Sequence, residues 1–159
     1  MEFKEKLARL TEINKACSKQ LERNEKIWIQ QVNKLYKDIE NWFGEYIQER
    51  YITVDYELLD YIDHLDEEIN KVYLNLGGEQ GPSIIFEPTG INIVGAIGKI
   101  DLYFRGHKED GIFLLLIEED NEQLYWEMRK SRKQLETDKF SKESFEKLID
   151  KWLDKWAEI

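Results

Sequence analysis

Cysteine, proline and histidine are scarce in this chain of 159 residues, which holds one, two and two of them respectively. One cysteine excludes an internal disulfide and suits a reducing compartment. Cys17 lies on an apolar helical seam, where a small thiol is ordinary. The two histidines, His64 and His107, sit in polar segments and form no zinc-ligand spacing with that cysteine. A nucleophilic triad would need an activated Ser or Cys beside a positioned His, and no pattern provides one. The glycines at 77–82 and 90–98 form neither a GxGxxG nor a Walker A pattern, so they read as turns and a bulge. No long apolar run exists; the longest, 112–117, is far too short to span a bilayer. The N-terminal stretch MEFKEKLARL is charged and lacks the apolar core of a signal peptide. Basic residues are outnumbered 23 to 33, a net charge of −10. That argues against a general nucleic-acid binder. The expectation is a soluble cytoplasmic protein with no cofactor and no membrane contact.

Aromatic residues are plentiful: five Trp, eight Tyr and seven Phe. Low-complexity tracts are missing. Such a composition supports one packed domain with a real core rather than disorder. Rich use of Lys, Ile and Asn suggests an AT-rich bacterial or phage genome.

The most informative region is the N-terminal third. It has no proline, and its first glycine is Gly44. Phe3, Leu7, Leu10, Asn14, Cys17, Leu21, Asn24 and Trp28 follow alternating steps of four and three. This is a heptad seam on an amphipathic helix. Asn14 and Asn24 on that seam cost stability but can set register and partner number. The stripe then shifts to Val32, Leu35, Ile39 and Trp42, which allows a kink or break at 24–26. Residues 1–50 therefore read as a long helix or a helical hairpin. It serves either as part of the domain or as an association element in which Leu7, Leu10, Asn14, Leu21, Asn24 and Trp28 meet a partner.

Residues 51–159 read as an antiparallel sheet followed by a helix, within a single compact domain overall. Segments 51–57, 71–76, 83–87, 91–96, 99–105, 112–118 and 123–129 alternate or are rich in β-formers. The segment 58–69 is ambiguous between helix and strand. Pro88, Thr89 and Gly90 read as a turn. The apolar strand 112–118 has the pattern of a strand covered on both faces. Ser141 is a candidate N-cap for a last helix whose apolar face is Phe145, Leu148, Ile149, Trp152 and Trp156. The fold class is α+β: a long helix, a meander of about five to seven strands, and a C-terminal helix on the sheet. One helix is expected on each face. Ile100, Leu102, Leu114, Leu116, Trp126 and Trp152 are expected in the core.

Two clusters carry possible chemistry. Asp101 on one strand, with Glu118 and Asp120 at the end of the next apolar strand, resembles the PD-(D/E)xK nuclease pattern. The resemblance implies a divalent cation held by converging carboxylates. The chain departs from it where the family places acid-x-Lys: the residues here are Glu118, Glu119 and Asp120, with no lysine. Arg129, Lys130, Arg132 and Lys133 form a basic cluster that could meet a phosphate or, preferably, an acidic protein. The favoured reading is a non-enzymatic interaction or regulatory protein whose partner is another protein or a second copy. Its rivals are a divergent metal-dependent nuclease and a small-molecule sensor with a pocket lined by Trp126, Trp152 and Trp156.

Overall fold

The computed structural model describes residues 2–62, 65–93, 95–120, 122–130 and 137–159. The N-terminal region is one unbroken helix, α1 (Phe3–Trp42), followed by the short helix α2 (Gly44–Gln48). There is no hairpin and no break at 24–26. The reason is local: residues 3–42 contain neither Pro nor Gly, so nothing forces the chain out of helix. The shift in the stripe is also small. With 3.6 residues per turn, the seam from Phe3 to Leu21 and the face bearing Trp28, Val32, Leu35 and Ile39 point within about 20° of one another. One continuous face therefore runs the length of a 40-residue helix, about 60 Å long.

Seven strands follow in a simple antiparallel meander: β1 (Ile52–Ile62), β2 (Glu67–Leu76), β3 (Ser83–Ile91), β4 (Gly98–Phe104), β5 (Ile112–Glu118), β6 (Leu124–Arg129) and β7 (Asp138–Lys139). The ambiguous segment 58–69 is strand where it is described, apart from a turn at Leu65 and Asp66. Cross-strand pairing with β2, from Ile52↔Leu76 to Ile62↔Glu67, overrides its helical spacing. Pro88, Thr89 and Gly90 do not form a turn; they lie within β3, where the register slips between Pro88 and Gly90. Proline is tolerated there because a bulge leaves a backbone position without a ladder bond. Of the expected strand 91–96, only Ile91 belongs to β3; Asn92, Ile93, Gly95 and Ala96 form a connection, with the Asn92 amide donating to the Ile97 carbonyl, and Val94 lies outside the described residues.

The last helix, α3 (Lys142–Trp156), begins as the sequence predicts. Ser141 caps it, accepting from the Ser144 amide, while the Ser144 hydroxyl accepts from the Ser141 amide. Phe145, Leu148, Ile149 and Trp152 are buried.

Both helices cover the same face of the sheet, which corrects the expectation of one on each side. Val72, Leu74, Ile84, Phe86, Ile100, Leu102, Leu114 and Leu116 point to that face and form one core with Trp28, Val32, Leu35, Ile39, Phe145 and Trp152. Rings knit the layers together: Phe86 lies 6.2 Å from Tyr36 of α1 and 5.4 Å from Phe145 of α3. The strand β5 is consequently not covered on both sides. Ile112, Leu114 and Leu116 are buried, while Phe113, Leu115 and Ile117 are only partly so. Trp126 is also only half-buried, tilted against Trp28 at 5.6 Å near the edge of the core.

The opposite face carries the polar half of each strand. Lys71 and Lys108 bracket Glu87 at 3.3 and 2.9 Å, and Lys99 sits 3.4 Å from Asp101. Burial alone would raise the Glu87 carboxyl, but hydrogen bonds from Lys108 and Lys71 outweigh it and hold the group below its ordinary value of 4.5.

Candidate interaction surface

Every residue from Glu2 to Glu22 is exposed, and burial of α1 begins only at Arg23. About 30 Å of helix therefore projects beyond the body. Its outer surface is not uniformly polar: Phe3 is 76 % exposed, and Leu7, Leu10, Ile13 and Leu21 are 47, 53, 52 and 51 % exposed. Cys17 is exposed on the same stripe. Scattered apolar residues on a surface are normal; a contiguous stripe of them marks a binding surface.

The seam residues fall into two groups. Leu7, Leu10, Asn14 and Leu21 all lie on the free half, together and on one face. Asn24 and Trp28 belong to the body. Asn24 donates from Nδ2 to Oδ1 of Asn92 at 2.8 Å, and Arg23 pairs with Glu118 at 2.6 Å. These two contacts latch the root of the projecting helix to the sheet. Trp28 is 2 % exposed, which corrects its assignment to the free seam. The heptad rhythm crosses Trp28 without change, so spacing alone could not show where the helix meets its own sheet.

At the root of the helix lies a groove of about 500 Å³ lined by Glu25, Trp28, Leu59, Asp60, Ile69, Pro88, Thr89, Gly90 and Ile91. Nothing in the sequence reading pointed to it, because its walls come from α1, β1, β2 and β3, brought together only by pairing. The charge distribution is also uneven. Residues 3–22 hold five basic and three acidic side chains, a net +2, which leaves −12 for the rest of the chain.

The alternative sites are not assembled. Asp101 faces the open side of the sheet, paired across from Phe113. Glu118 lies on the helical side, tied to Arg23, and Asp120 is exposed in the following turn. Strand alternation puts Asp101 and Glu118 on opposite faces, so the three carboxylates cannot converge on one ion. Among the described residues, no group of three or more His, Cys, Asp or Glu is placed to hold a metal. In the basic cluster, Arg129 turns to Glu127 at 3.4 Å. Lys130 lines a groove of about 310 Å³ with Asp101, Tyr103 and Lys108. Arg132 and Lys133 lie outside the described residues, as does His64. The three tryptophans proposed to line a common pocket are separated: Trp126 packs on Trp28, whereas Trp156 stacks on His107 at 4.1 Å beside Trp152.

The aromatics of the open face are occupied by the chain's own cations. Lys71 and Arg105 lie over Tyr73, Lys99 over Phe113, Lys108 over Tyr103 and Lys139 over Tyr125. A base-stacking platform needs such faces free. Among the described residues, no helix is long and apolar enough to cross a membrane. The chain matches no protein-family model, and comparison with curated proteins and with solved structures finds no match either.

Proposed function

We propose that the protein works by binding another protein chain through the projecting half of α1, with the sheet and α3 as the rigid body that holds it out. One observation carries this reading: about 30 Å of helix stands clear of the body with Phe3, Leu7, Leu10 and Leu21 aligned and exposed, and Ile13 exposed beside them. An isolated helix of that length is marginal in water and gains stability when its apolar face is covered. A helix laid against a partner helix or into a groove satisfies both needs. Roles that fit are an accessory subunit, an antitoxin or immunity protein, or an inhibitor, of bacterial or phage type. The partner is a protein, and no cofactor enters.

The test is the particle mass of the protein isolated under native conditions from the cells that make it. Wild type is expected to run well above the 19.1 kDa of one chain. A variant carrying Leu7→Glu, Leu10→Glu and Leu21→Glu is expected to fall to that mass while keeping its circular dichroism. Wild type running as a single free chain would end the reading.

A further inference from the structure

We propose that the stripe is covered by a second copy of this chain, running antiparallel, with Phe3 of each copy seated against the partner's Leu21 at the near edge of the groove. The inference rests on the reading of α1 as an association element and specifies its occupant, orientation and register.

Orientation follows from the shape of one protomer. The free stripe and the buried face of α1 are the same side of one continuous helix. In a parallel pair in register, residues 28–42 of the partner would run through the volume filled by this chain's own sheet. Asn14 on the seam would favour a parallel two-stranded coil in an isolated peptide; the attached body forbids it. Antiparallel copies meet no such obstacle, because each helix stops where the other body begins.

Register follows from the heptad. Antiparallel packing sets each a position against a d position. The longest overlap that stays clear of the body places Phe3 against the partner's Leu21, Leu7 against the partner's Cys17, and Leu10 against the partner's Asn14. Extending by a heptad would set Phe3 against the partner's Trp28, which is already buried. In this register the two Ile13 side chains meet across the two-fold axis, adding apolar contact from outside the a and d positions. Lys4 flanks the partner's Ser18 and Lys6 flanks the partner's Gln20, so no like charges are opposed.

Side chains on a helix lean toward its N-terminus. Phe3 therefore leans past the partner's Leu21 toward the groove at its root, whose walls include Trp28, Leu59, Ile69, Pro88 and Ile91. Charge agrees with the pairing. The helical arm carries +2 over residues 3–22, with Glu2, Lys4, Glu5 and Lys6 balanced at its tip, and the body it reaches has a charge of −12. The one overlap of about 28 Å, with a phenylalanine contributed at each end, buries on the order of 1,000 Å², the lower bound for a specific interface. The dimer is isologous and closes on itself, and Asn14 against the partner's Leu10 keeps it weak enough to depend on concentration.

The experiment combines sedimentation equilibrium with oxidative cross-linking of the purified full chain. Wild type is expected to shift from one chain to two as concentration rises. Ile13→Asp should hold it at one chain, since it opposes two carboxylates on the axis. Asn14→Leu should lower the dissociation constant by about tenfold or more by replacing a polar seam contact with an apolar one. On mild oxidation wild type should not cross-link, because the two Cys17 sulfurs lie about 15 Å apart along the axis. Leu7→Cys should cross-link readily to the partner's Cys17. A wild-type dimer joined through Cys17 would overturn the antiparallel arrangement. A single chain at every concentration would overturn the second copy as occupant, and so would association only with anionic vesicles. A purified single chain beside a larger native particle would leave the interaction reading standing with a different protein as partner.

Discussion

At the scale of single residues, Gly95 and Gly98 meet two different demands, one of backbone conformation and one of space. The spacing of Gly95 and Gly98 reads as a bend or bulge. Gly95 does need its conformation, with φ at +82° in a region open chiefly to glycine. Gly98 has no such φ; a β-carbon there would lie 2.4 Å from the Trp28 ring. The glycine makes room for the tryptophan that anchors α1. Gly98→Ala is expected to destabilise by about 1–3 kcal/mol, as overpacking does, read as a lowered urea midpoint. Pairing it with Trp28→Leu should recover part of the loss. Glu87 supplies a second residue-scale prediction. Its folded pKa lies below its ordinary 4.5, so its contribution is present above that value and is lost as pH falls through the lower folded pKa. Glu87→Gln should lower stability at neutral pH and flatten the acid limb below about pH 4.5. An unchanged acid limb would mean that Lys71 and Lys108 do not hold the carboxylate.

At the scale of elements, periodicity identified α1, α3 and most strands, and misread those that depend on neighbours. The segment 58–69 has helical spacing, yet it extends a hairpin because Leu58, Asp60, Tyr61 and Ile62 pair with β2 in continuation of the 52–57 ladder. The apolar run of β5 reads as a strand covered on both faces. It is instead a strand whose outward Phe113 lies under Lys99, with the cation 4.7 Å from the ring. Long aliphatic stems cover apolar surface while leaving their charge in water, so an apolar residue on that face needs no helix above it. The inward side remains the stable one. Leu116 is fully buried between the helices and the sheet, and Leu116→Ala should cost about 2–5 kcal/mol, measured by denaturant unfolding. A loss well under about 1 kcal/mol would mean that the core does not close over β5.

At the scale of the whole molecule, the protein is a body with an arm. The arm contributes no buried residue before Arg23, so the body should not depend on it. Removing residues 2–22 is expected to leave the thermal midpoint of a monomeric sample within a few degrees, while abolishing whatever assembly the full chain forms. A cooperative collapse of the truncated chain would show that the arm folds back on the body. The latch of Arg23 on Glu118 is exposed and worth little by itself. Aim of the arm comes from the core contacts of Trp28, Val32 and Leu35, which lie on the same rigid helix.

The sequence by itself determined the elements and their apolar faces, because both arise from spacing within a few residues: 3.6 per turn for helices and two for strands. It also determined that Leu7, Leu10, Asn14 and Leu21 share a stripe. Only the tertiary structure decided which part of that stripe is used internally. Trp28 and Leu21 are equivalent in heptad terms, and they differ because the sheet reaches one and not the other. In the same way, pairing alone placed Asp101 and Glu118 on opposite faces, where no carboxylate site can form, and built the groove beside Trp28 from strands distant in the chain. Contacts between distant residues are set by how layers stack, and a one-dimensional pattern contains the faces without the stacking.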